Sequence, residues 1–325
     1  MQDPLVASIL VTGLAFAVSF VLLRLLLLPM TQRWFLDHPN PRSLHAAPVP
    51  RTGGLGVVPG LAAGMLIAGA DVLLVALTLG LMLLSLLDDW KHLAAIWRLI
   101  GHLGAAGAFV LAYFPAAGWI ELAVLVLAVA WIINLYNFMD GADGLAGGMA
   151  VIGFCAYGAA AGLASNPSLA QTSLCIAAAA AAFLAFNFPP ARIFMGDSGS
   201  IPLGFLASAL GLLGWRGGVW PLWFPLIVFA PFVVDATVTL ARRALRGERF
   251  WQAHRSHYYQ RLVLSGWSHR QLALAEYGLM LLSALAALLA LRQAASVQGL
   301  IFVALIVAYA LVGLTVDRRC RARMR

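Results

Sequence analysis

Long apolar runs, separated by short polar segments, make up most of the chain. They predict about eleven helices, at residues 5–28, 55–70, 72–87, 99–114, 119–136, 145–164, 169–186, 201–213, 219–240, 272–291 and 300–316. Most of these runs approach the roughly 20 residues with which a helix crosses about 30 Å of hydrocarbon. A backbone in hydrocarbon must satisfy its own hydrogen bonds, which favours helices. The pattern therefore predicts an all-α polytopic membrane protein, formed as one transmembrane domain over residues 1–325.

The composition supports this class and excludes a soluble domain. Hydrophobic residues make up 62% of the chain and charged residues 10%, and the mean hydropathy is +0.90. Soluble domains carry about 25% charged residues. The first run is expected to stay in the protein, because no basic residue precedes it and it is longer than the apolar part of a signal peptide.

The basic residues predict the orientation, because lysine and arginine collect in cytoplasmic loops. When the spans alternate, most of the 21 basic residues fall on one side, and only Arg216 and Arg292 fall on the other. This places the N-terminus in the periplasm and the C-terminus in the cytoplasm of a bacterial inner membrane. Anionic headgroups of the lipid bilayer account for the net charge of +8, so no nucleic acid is needed as a partner. The arginines of 318–325 are interpreted as a topology and lipid anchor.

Acidic residues close three of the apolar runs. Asp88 and Asp89 follow the third run, the segment 137–144 follows the fifth, and the segment 195–199 follows the seventh. A carboxylate at the C-terminal end of a helix meets the negative end of the helix dipole, so it needs a cation there. Two spans separate each segment from the next, which predicts that all three share the cytoplasmic face. The predicted site is built from the cytoplasmic loops 30–54, 88–98, 137–144, 187–200 and 241–271.

The residue types in these loops point to phosphoryl transfer. Carboxylates and an Asn amide suit Mg²⁺, which is usually bound together with substrate phosphates. Glycine-rich turns at 53–56 and 196–199 let backbone N–H groups approach an anion, and arginine and histidine bind further phosphate oxygens. Positioning and charge neutralisation supply most of the catalysis in such reactions.

Five motifs together resemble the polyprenyl-phosphate N-acetylhexosamine-1-phosphate transferases, over nearly the whole chain. They are Pro-Arg-x-Gly-Gly-Leu-Gly at 50–56, Asp88-Asp89, Asn-x-x-Asp-Gly-x-Asp-Gly-Leu at 137–145, Phe-Met-Gly-Asp-Ser-Gly-Ser at 194–200 and His-Arg-Ser-His at 254–257. The resemblance implies transfer of a sugar-1-phosphate from a UDP-sugar to undecaprenyl phosphate, with release of UMP. It also implies Mg²⁺ as the cofactor, with Mn²⁺ as the alternative ion. A homodimer is left open.

The resemblance assigns the metal and nucleotide contacts to individual residues. Asp197 is similar to the family's main Mg²⁺ ligand, and Asn137 is similar to the amide that helps to hold the metal and the pyrophosphate. Asp143 and Phe194 resemble the uridine contacts, the ring of Phe194 stacking on uracil, with Asn187 close by.

The remaining residues are assigned to the lipid and the donor. Asp88 and Asp89 resemble the pair that orients or deprotonates the lipid phosphate, and Asp140 and Asp143 are counted with them as catalytic. His254, Arg255 and His257 match the loop that binds the donor's pyrophosphate or sugar, and Arg51 is expected to bind substrate. Direct attack by a lipid phosphate oxygen is favoured, because a phosphate monoester is largely ionised near neutral pH. A covalent phosphate on Asp88 or Asp89 is the alternative.

Structural roles compete with several of these assignments. Asp140 is equally explained as an acceptor of backbone hydrogen bonds in a glycine-rich turn. For Asp88-Asp89 the alternative is a solvated interfacial pair, which the two matching acidic clusters on the same face disfavour. Asp235, in the ninth run, is a functional candidate because intramembrane acids usually serve function, but Arg242 lies seven residues on and offers it an ion pair. Four histidines are interpreted as interfacial polar residues, of which His45 most merits a test: His38, His45, His92 and His102.

Departures from the family's peptidoglycan enzyme narrow the choice of donor. That enzyme carries consecutive histidines in its last large loop and a threonine-containing nucleotide loop, and this chain has neither pattern at 254–257 or 137–143. The sequence is closer to transferases that initiate O-antigen synthesis, part of lipopolysaccharide and cell-wall biogenesis. The donor is expected to be a UDP-N-acetyl amino sugar, and this group includes enzymes that use UDP-N-acetylfucosamine or a related 6-deoxy-N-acetylhexosamine. The phospho-N-acetylmuramoyl-pentapeptide transferase is the alternative. Two other classes remain: a transporter or flippase, whose acids lie near the midplane of the bilayer, and a silent scaffold, which leaves the acidic clusters unexplained.

Overall fold

The computed structural model describes residues 4–31, 35–39, 44, 47–91, 93–249 and 254–323. Residues named above that lie outside this part of the chain are His45, His92 and the last two residues of 318–325. All twelve residues assigned to the site above are described.

Helices account for nearly all of the regular structure in the described residues. In chain order they are α1 Pro4–Leu26, α2 Gly53–Ile67, α3 Val72–Lys91, α4 Ala95–Tyr113, α5 Trp119–Phe138, α6 Leu145–Leu163, α7 Pro167–Asn187, α8 Asp197–Arg216, α9 Trp223–Val228, α10 Ala230–Leu245, α11 Tyr258–Leu264, α12 His269–Ala290 and α13 Ala295–Arg323. Two strands of two residues each, β1 Leu36–Asp37 and β2 Val49–Pro50, pair antiparallel between α1 and α2.

Every predicted apolar run coincides with a helix or with a pair of helices. Nine helices of the described chain are long and apolar enough to cross a membrane, and α2 is a shorter apolar helix of 15 residues. The predicted all-α, multi-pass membrane fold is therefore confirmed. The exact number of spans and their orientation stay predictions.

The ninth predicted run is interrupted, so a single continuous helix over 219–240 is wrong. It forms α9 and α10, which meet at Phe229, and Pro231 stands at the start of α10. Proline has no N–H to donate and its ring clashes with the preceding turn of a helix, so the start of a helix is its favoured position.

Helix α8 lies at the centre of the fold, where it contacts α2, α3, α4, α5, α6, α7 and α9. Small residues allow close packing around it, because helices in a membrane associate through van der Waals contact. Gly204 of α8, for example, faces Ile132 and Ile133 of α5 so closely that a Cβ would lie 3.0 Å from their backbone. The outer helices α1 and α13 expose large apolar side chains such as Leu5 and Leu300, as expected of surfaces that face lipid. The close packing around α8 brings the polar ends of the inner helices together.

Candidate active site

Two arginines and three acids meet at one end of the helix bundle. Arg98, in the first turn of α4, places its Nη1 3.2 Å from Oδ2 of Asp88 and 3.3 Å from Oδ2 of Asp197. Arg51 places Nη2 2.9 Å from Oδ1 of Asp89. The guanidinium of Arg98 thus joins α3, α4 and α8 at one point. The acids of the first and third segments therefore lie together at one end of the bundle; that this end faces the cytoplasm stays a prediction.

The local setting of Asp197 differs from the prediction. The sequence places it after the seventh helix, at an exit, whereas it is the first residue of α8. The positive end of a helix dipole favours a carboxylate at this position. Only Asp88 and Asp89 lie in the last turn of a helix, α3, and both are paired with arginines there.

The segments around Arg51 and Asp197 run side by side because of backbone hydrogen bonds and glycines. Phe194 donates its N–H to the carbonyl of Pro50, and Gly53 and Gly54 donate theirs to the carbonyls of Phe194 and Met195. A Cβ on Gly54 would lie 2.4 Å from the backbone of Ser198 and Gly199. Only glycine therefore permits this approach, which sets Arg51 beside the acids of α3.

A second group links the end of α5 to the start of α8. Ser200 donates its hydroxyl to Oδ1 of Asn137 at 2.7 Å. Burial raises the pKa of the Asp197 carboxyl, and the charge of Arg98 and the Asn137 side chain oppose this shift. Burial and the negative charge of Asp197 raise the pKa of Asp140 well above its ordinary value. Asn137, Asp140 and Asp197 therefore form one oxygen-rich group that favours a cation.

This group is compatible with Mg²⁺ but supplies only part of the ligands that the ion needs. Within the described residues, no three His, Cys, Asp or Glu side chains are grouped so that they alone could hold a metal. Mg²⁺ usually takes one or two carboxylates and completes its coordination with water and substrate phosphates. Two carboxylates that repel each other, next to an amide, fit that requirement.

Asp143 and Asn187 form hydrogen bonds between the two loops, 137–144 and 187–200, that flank this group. One Asp143 oxygen accepts the Ala191 N–H at 3.0 Å, and the other lies 3.1 Å from Nδ1 of His269. The Asn187 side chain is 5% exposed, accepts the Gly144 N–H at 2.8 Å and donates to the carbonyl of Ile193 at 2.8 Å. Both polar groups of the Asn187 amide are therefore used by the backbone, which favours a structural role for this residue over the predicted contact with substrate. Phe194 is half-buried in the neighbouring loop.

The segment with His254, Arg255 and His257 is held by Asp235. Both oxygens of this carboxylate accept backbone N–H groups, from Tyr258 at 2.9 Å and from Tyr259 at 3.0 Å, and Nδ1 of His257 lies 3.3 Å from it. The predicted pairing of Asp235 with Arg242 is wrong, because Arg242 pairs with Asp317 instead. Asp235 stabilises the start of α11, where its carboxylate meets unsatisfied N–H groups.

The histidine segment contacts the 137–144 loop. The rings of His254 and His257 lie 5.0 Å apart, and His257 lies 6.3 Å from the ring of Phe138. The Tyr259 hydroxyl donates to the carbonyl of Phe138 at 3.1 Å. Burial and the positive charges of His257 and Arg243 lower the pKa of His254 to about 4. His254 is therefore a neutral acceptor or donor at neutral pH, and Arg255 beside it is exposed.

Sequence reasoning missed several residues of this site. Arg98 has no assigned role in the sequence analysis, yet it bridges two predicted site acids, Asp88 and Asp197. His269 and Ser200 received no role, although each contacts a predicted site residue. The signal for Ser200 was present, because it ends the 194–200 motif. Nothing in the sequence marks His269, which lies 126 residues from Asp143. Of the other histidines, His102 is buried in α4 and His38 is exposed.

The fold and the site define a class of protein: a multi-pass membrane protein with acids, arginines and histidines gathered at one end of its helices. Comparisons with known proteins narrow this class. Residues 72–214 match the model of the family described as glycosyl transferase family 4. A Bacillus subtilis protein named "Probable undecaprenyl-phosphate N-acetylglucosaminyl 1-phosphate transferase" is 33% identical over 288 residues, which cover 81% of this chain and 80% of the relative.

Two further relatives have related names. The phospho-N-acetylmuramoyl-pentapeptide-transferase of a Picosynechococcus species is 32% identical, over 74% of this chain and 75% of its own. The decaprenyl-phosphate N-acetylglucosaminephosphotransferase of Mycolicibacterium smegmatis is 31% identical, over 74% and 71%. The chain therefore belongs to glycosyl transferase family 4, the polyprenyl-phosphate N-acetylhexosamine-1-phosphate transferases. The resemblance inferred from the five motifs is confirmed.

Proposed function

We propose that this protein transfers a sugar-1-phosphate from a UDP-N-acetyl amino sugar to undecaprenyl phosphate and releases UMP. The names of the relatives support a polyprenyl phosphate acceptor and an N-acetylated sugar donor. The reaction takes place at the cytoplasmic face of the bacterial inner membrane, where the donor arrives from solution and the lipid from the bilayer. The distribution of basic residues supports this orientation.

The observation that carries the proposal is the bridge from Arg98 to Asp88 and Asp197. It brings the acid pair of α3 to the start of α8, so that groups suited to the lipid phosphate and to the donor pyrophosphate stand at one point. The Arg98 side chain is 37% exposed, and its guanidinium is therefore accessible to an entering phosphate. A transporter would instead place such acids near the middle of the membrane.

Asp197, Asn137 and Asp140 would hold the Mg²⁺ ion. Bound there, the ion would neutralise the charge that develops on the pyrophosphate oxygens. The residues themselves add to this effect, because Arg98 and Arg51 pair with the neighbouring carboxylates and orient them. The negative charge that two phosphorylated substrates bring to the site is thereby compensated before they react.

The chemistry is a single displacement. An oxygen of the lipid phosphate forms a bond to the sugar-bearing phosphorus, and the bond from that phosphorus to the bridging oxygen breaks. The electron pair leaves with UMP. Asp88 and Asp89 orient the lipid phosphate. Each is already paired with an arginine, which favours this role over that of a nucleophile forming a covalent intermediate.

The donor occupies the space between the 187–200 loop and the histidine segment. Phe194 offers its ring to uracil, and Asp143 is held nearby by His269. His254, Arg255 and His257 contact the pyrophosphate or the sugar. The neutral state of His254 suits hydrogen bonding to sugar hydroxyl or acetamido groups, and exposed Arg255 supplies the positive charge.

N-acetylglucosamine is the first candidate for the sugar, because the names of the Bacillus and Mycolicibacterium relatives both specify it. A 6-deoxy-N-acetylhexosamine, with a role in O-antigen synthesis, remains the proposal drawn from the loop sequences. The Picosynechococcus relative favours phospho-N-acetylmuramoyl-pentapeptide as the second candidate.

The test is an assay of UMP release by the purified protein. The protein is incubated with undecaprenyl phosphate, Mg²⁺ and, in separate reactions, UDP-N-acetylglucosamine, a UDP-6-deoxy-N-acetylhexosamine and UDP-N-acetylmuramoyl-pentapeptide. We expect lipid-dependent UMP release with one of the first two donors. Release with the pentapeptide donor alone would select the second candidate, and no release with any donor would contradict the proposed function.

A further inference from the structure

Residues near the C-terminal end of α13 contact α10 and also α11, the helix that follows the histidine segment 254–257. Asp317 lies 2.9 Å from Nη1 of Arg242 in α10 and 2.7 Å from Nη1 of Arg261 in α11. Two residues on, Arg319 donates to the Ser265 hydroxyl at 3.3 Å, and the next residue, Cys320, contacts the carbonyl of Arg261 at 3.7 Å. The interpretation of the tail as only a topology and lipid anchor is therefore wrong for Arg319.

Asp317 is the centre of this arrangement. Its two oxygens divide between the two arginines, and its side chain is only 14% exposed. Both guanidinium groups also lie over the ring of Tyr258, at 5.4 and 5.1 Å from its centroid. Without the carboxylate, two like charges would share one aromatic ring, and repulsion would drive them apart.

Over the described residues, α13 packs against α11 and α12 more extensively than against α10. A cavity of about 720 Å³ lies between α10, α12 and α13, lined by apolar side chains such as Val238, Leu279 and Leu305. Helices in a membrane gain no hydrophobic driving force from association, so a cavity leaves the polar contacts at the helix ends to join them. The hydroxyls of Ser283 and Tyr309, 2.7 Å apart, join α13 to α12 instead.

Tyr258 connects the two arginines that pair with Asp317 to the histidine segment of the proposed site. Tyr258, held between the two arginines, directly follows His257, and its N–H is fixed by Asp235. The next residue, Tyr259, reaches the carbonyl of Phe138 at the end of α5. The histidine segment is therefore held from two sides, by α5 toward the acids and by α13 away from them.

We propose that Asp317 is a positioning residue, which through Arg242, Arg261 and Tyr258 holds the His254–His257 segment in the place where it meets the donor. This inference rests on the proposed function for its effect on catalysis. The hold on the segment is a property of the folded protein, and it can be measured without any substrate.

The test uses the full-length protein with Asp317→Asn, which removes the charge and keeps the shape. Asp317→Glu is the rescue variant, because it retains a carboxylate for both arginines. Glu248→Gln is the matched control, because it removes an acid paired with Arg243 at 2.8 Å at the same end of α10 and has the same effect on net charge.

The first readout is hydrogen–deuterium exchange without substrate. We expect Asp317→Asn to speed exchange in the segment 254–264 by up to roughly tenfold, because both partly exposed ion pairs of Asp317 are lost at once. Exchange in 137–144 and throughout Glu248→Gln should be unchanged, and Asp317→Glu should restore most of the protection. Unchanged exchange in 254–264 would overturn the proposal.

The second readout is UMP release at varied donor and lipid concentrations. Displacement of binding groups by about 1 Å costs up to roughly 100-fold, so we expect a 10- to 100-fold loss of kcat/KM for the donor. The KM for undecaprenyl phosphate should stay the same. Equal losses for donor and lipid, or faster exchange with normal donor kinetics, would refute the positioning role. If the wild-type protein releases no UMP, the proposed function fails, and the exchange experiment alone decides whether Asp317 holds the segment.

Discussion

Replacing Asp197 by asparagine should separate the catalytic role of this residue from its contribution to folding. Asp197→Asn keeps the size of the side chain and the first position of α8, but removes the charge. The lost ion pair with Arg98 joins side chains that are 37% and 29% exposed, and such pairs contribute only about 0.2–1 kcal/mol. Relief of the repulsion between Asp197 and Asp140 offsets part of that loss. The free energy of unfolding should therefore change by less than about 1 kcal/mol.

The effect on turnover should be far larger. Removing one group that stabilises developing charge commonly costs 10²- to 10³-fold, and we expect a loss of about 10³-fold, or about 4 kcal/mol of transition-state stabilisation. The measurement compares UMP release and thermal unfolding in detergent for the wild type, Asp197→Asn and the control Glu248→Gln. Asp197→Asn with more than about a tenth of wild-type turnover would refute the assignment of Asp197 as metal ligand. So would a loss of activity matched by unfolding of the variant.

Three further predictions address the loops around the site. Asn187→Ala leaves the Gly144 N–H and the Ile193 carbonyl without their partner and should lower the free energy of unfolding by about 2–4 kcal/mol; a loss below about 1 kcal/mol in denaturation experiments would contradict its structural role. Gly54→Ala places a Cβ 2.4 Å from the backbone of Ser198 and Gly199 and should reduce UMP release at least tenfold, whereas Gly80→Ala, with no atom within 4 Å, should not. Because the pKa of His254 falls from 6.5 in the unfolded chain to about 4, the unfolded state binds the extra proton between these values. The free energy of unfolding should therefore decrease as the pH is lowered from about 6.5 to about 4. In thermal unfolding, His254→Gln should lose less stability over this range than the wild type does. The same pH dependence in both proteins would show that His254 titrates normally.

The membrane helices could be predicted well because length and apolarity alone mark them. Counting crossings between polar segments then predicted which loops meet, and the contacts of Arg98 with Asp88 and Asp197 agree. The helix start at Asp197 was missed for a local reason. The polar residues 197–200 read as loop by hydropathy, although the left-handed backbone at Gly196, with φ of +68°, begins the helix directly after it.

Side-chain partners could not be predicted, because they depend on contacts between distant parts of the chain. Arg98 lies 99 residues from Asp197, and no periodicity connects them. Arg242 stood on the same helical face as Asp235 and was the natural partner by sequence. In the structure Asp235 instead accepts hydrogen bonds from two backbone N–H groups at the start of α11. These N–H groups have no partner within the helix, so they bind a carboxylate favourably.

The central claim is that one site moves a sugar together with its phosphate onto a lipid phosphate. The most direct measurement uses a UDP-N-acetyl amino sugar that carries one label in the sugar and another in the phosphate attached to it. We predict that both labels appear in the lipid in equal amounts, that the released nucleotide is unlabelled UMP, and that Asp197→Asn stops all three changes. Transfer of the sugar label without the phosphate label, or release of labelled UDP, would contradict the account.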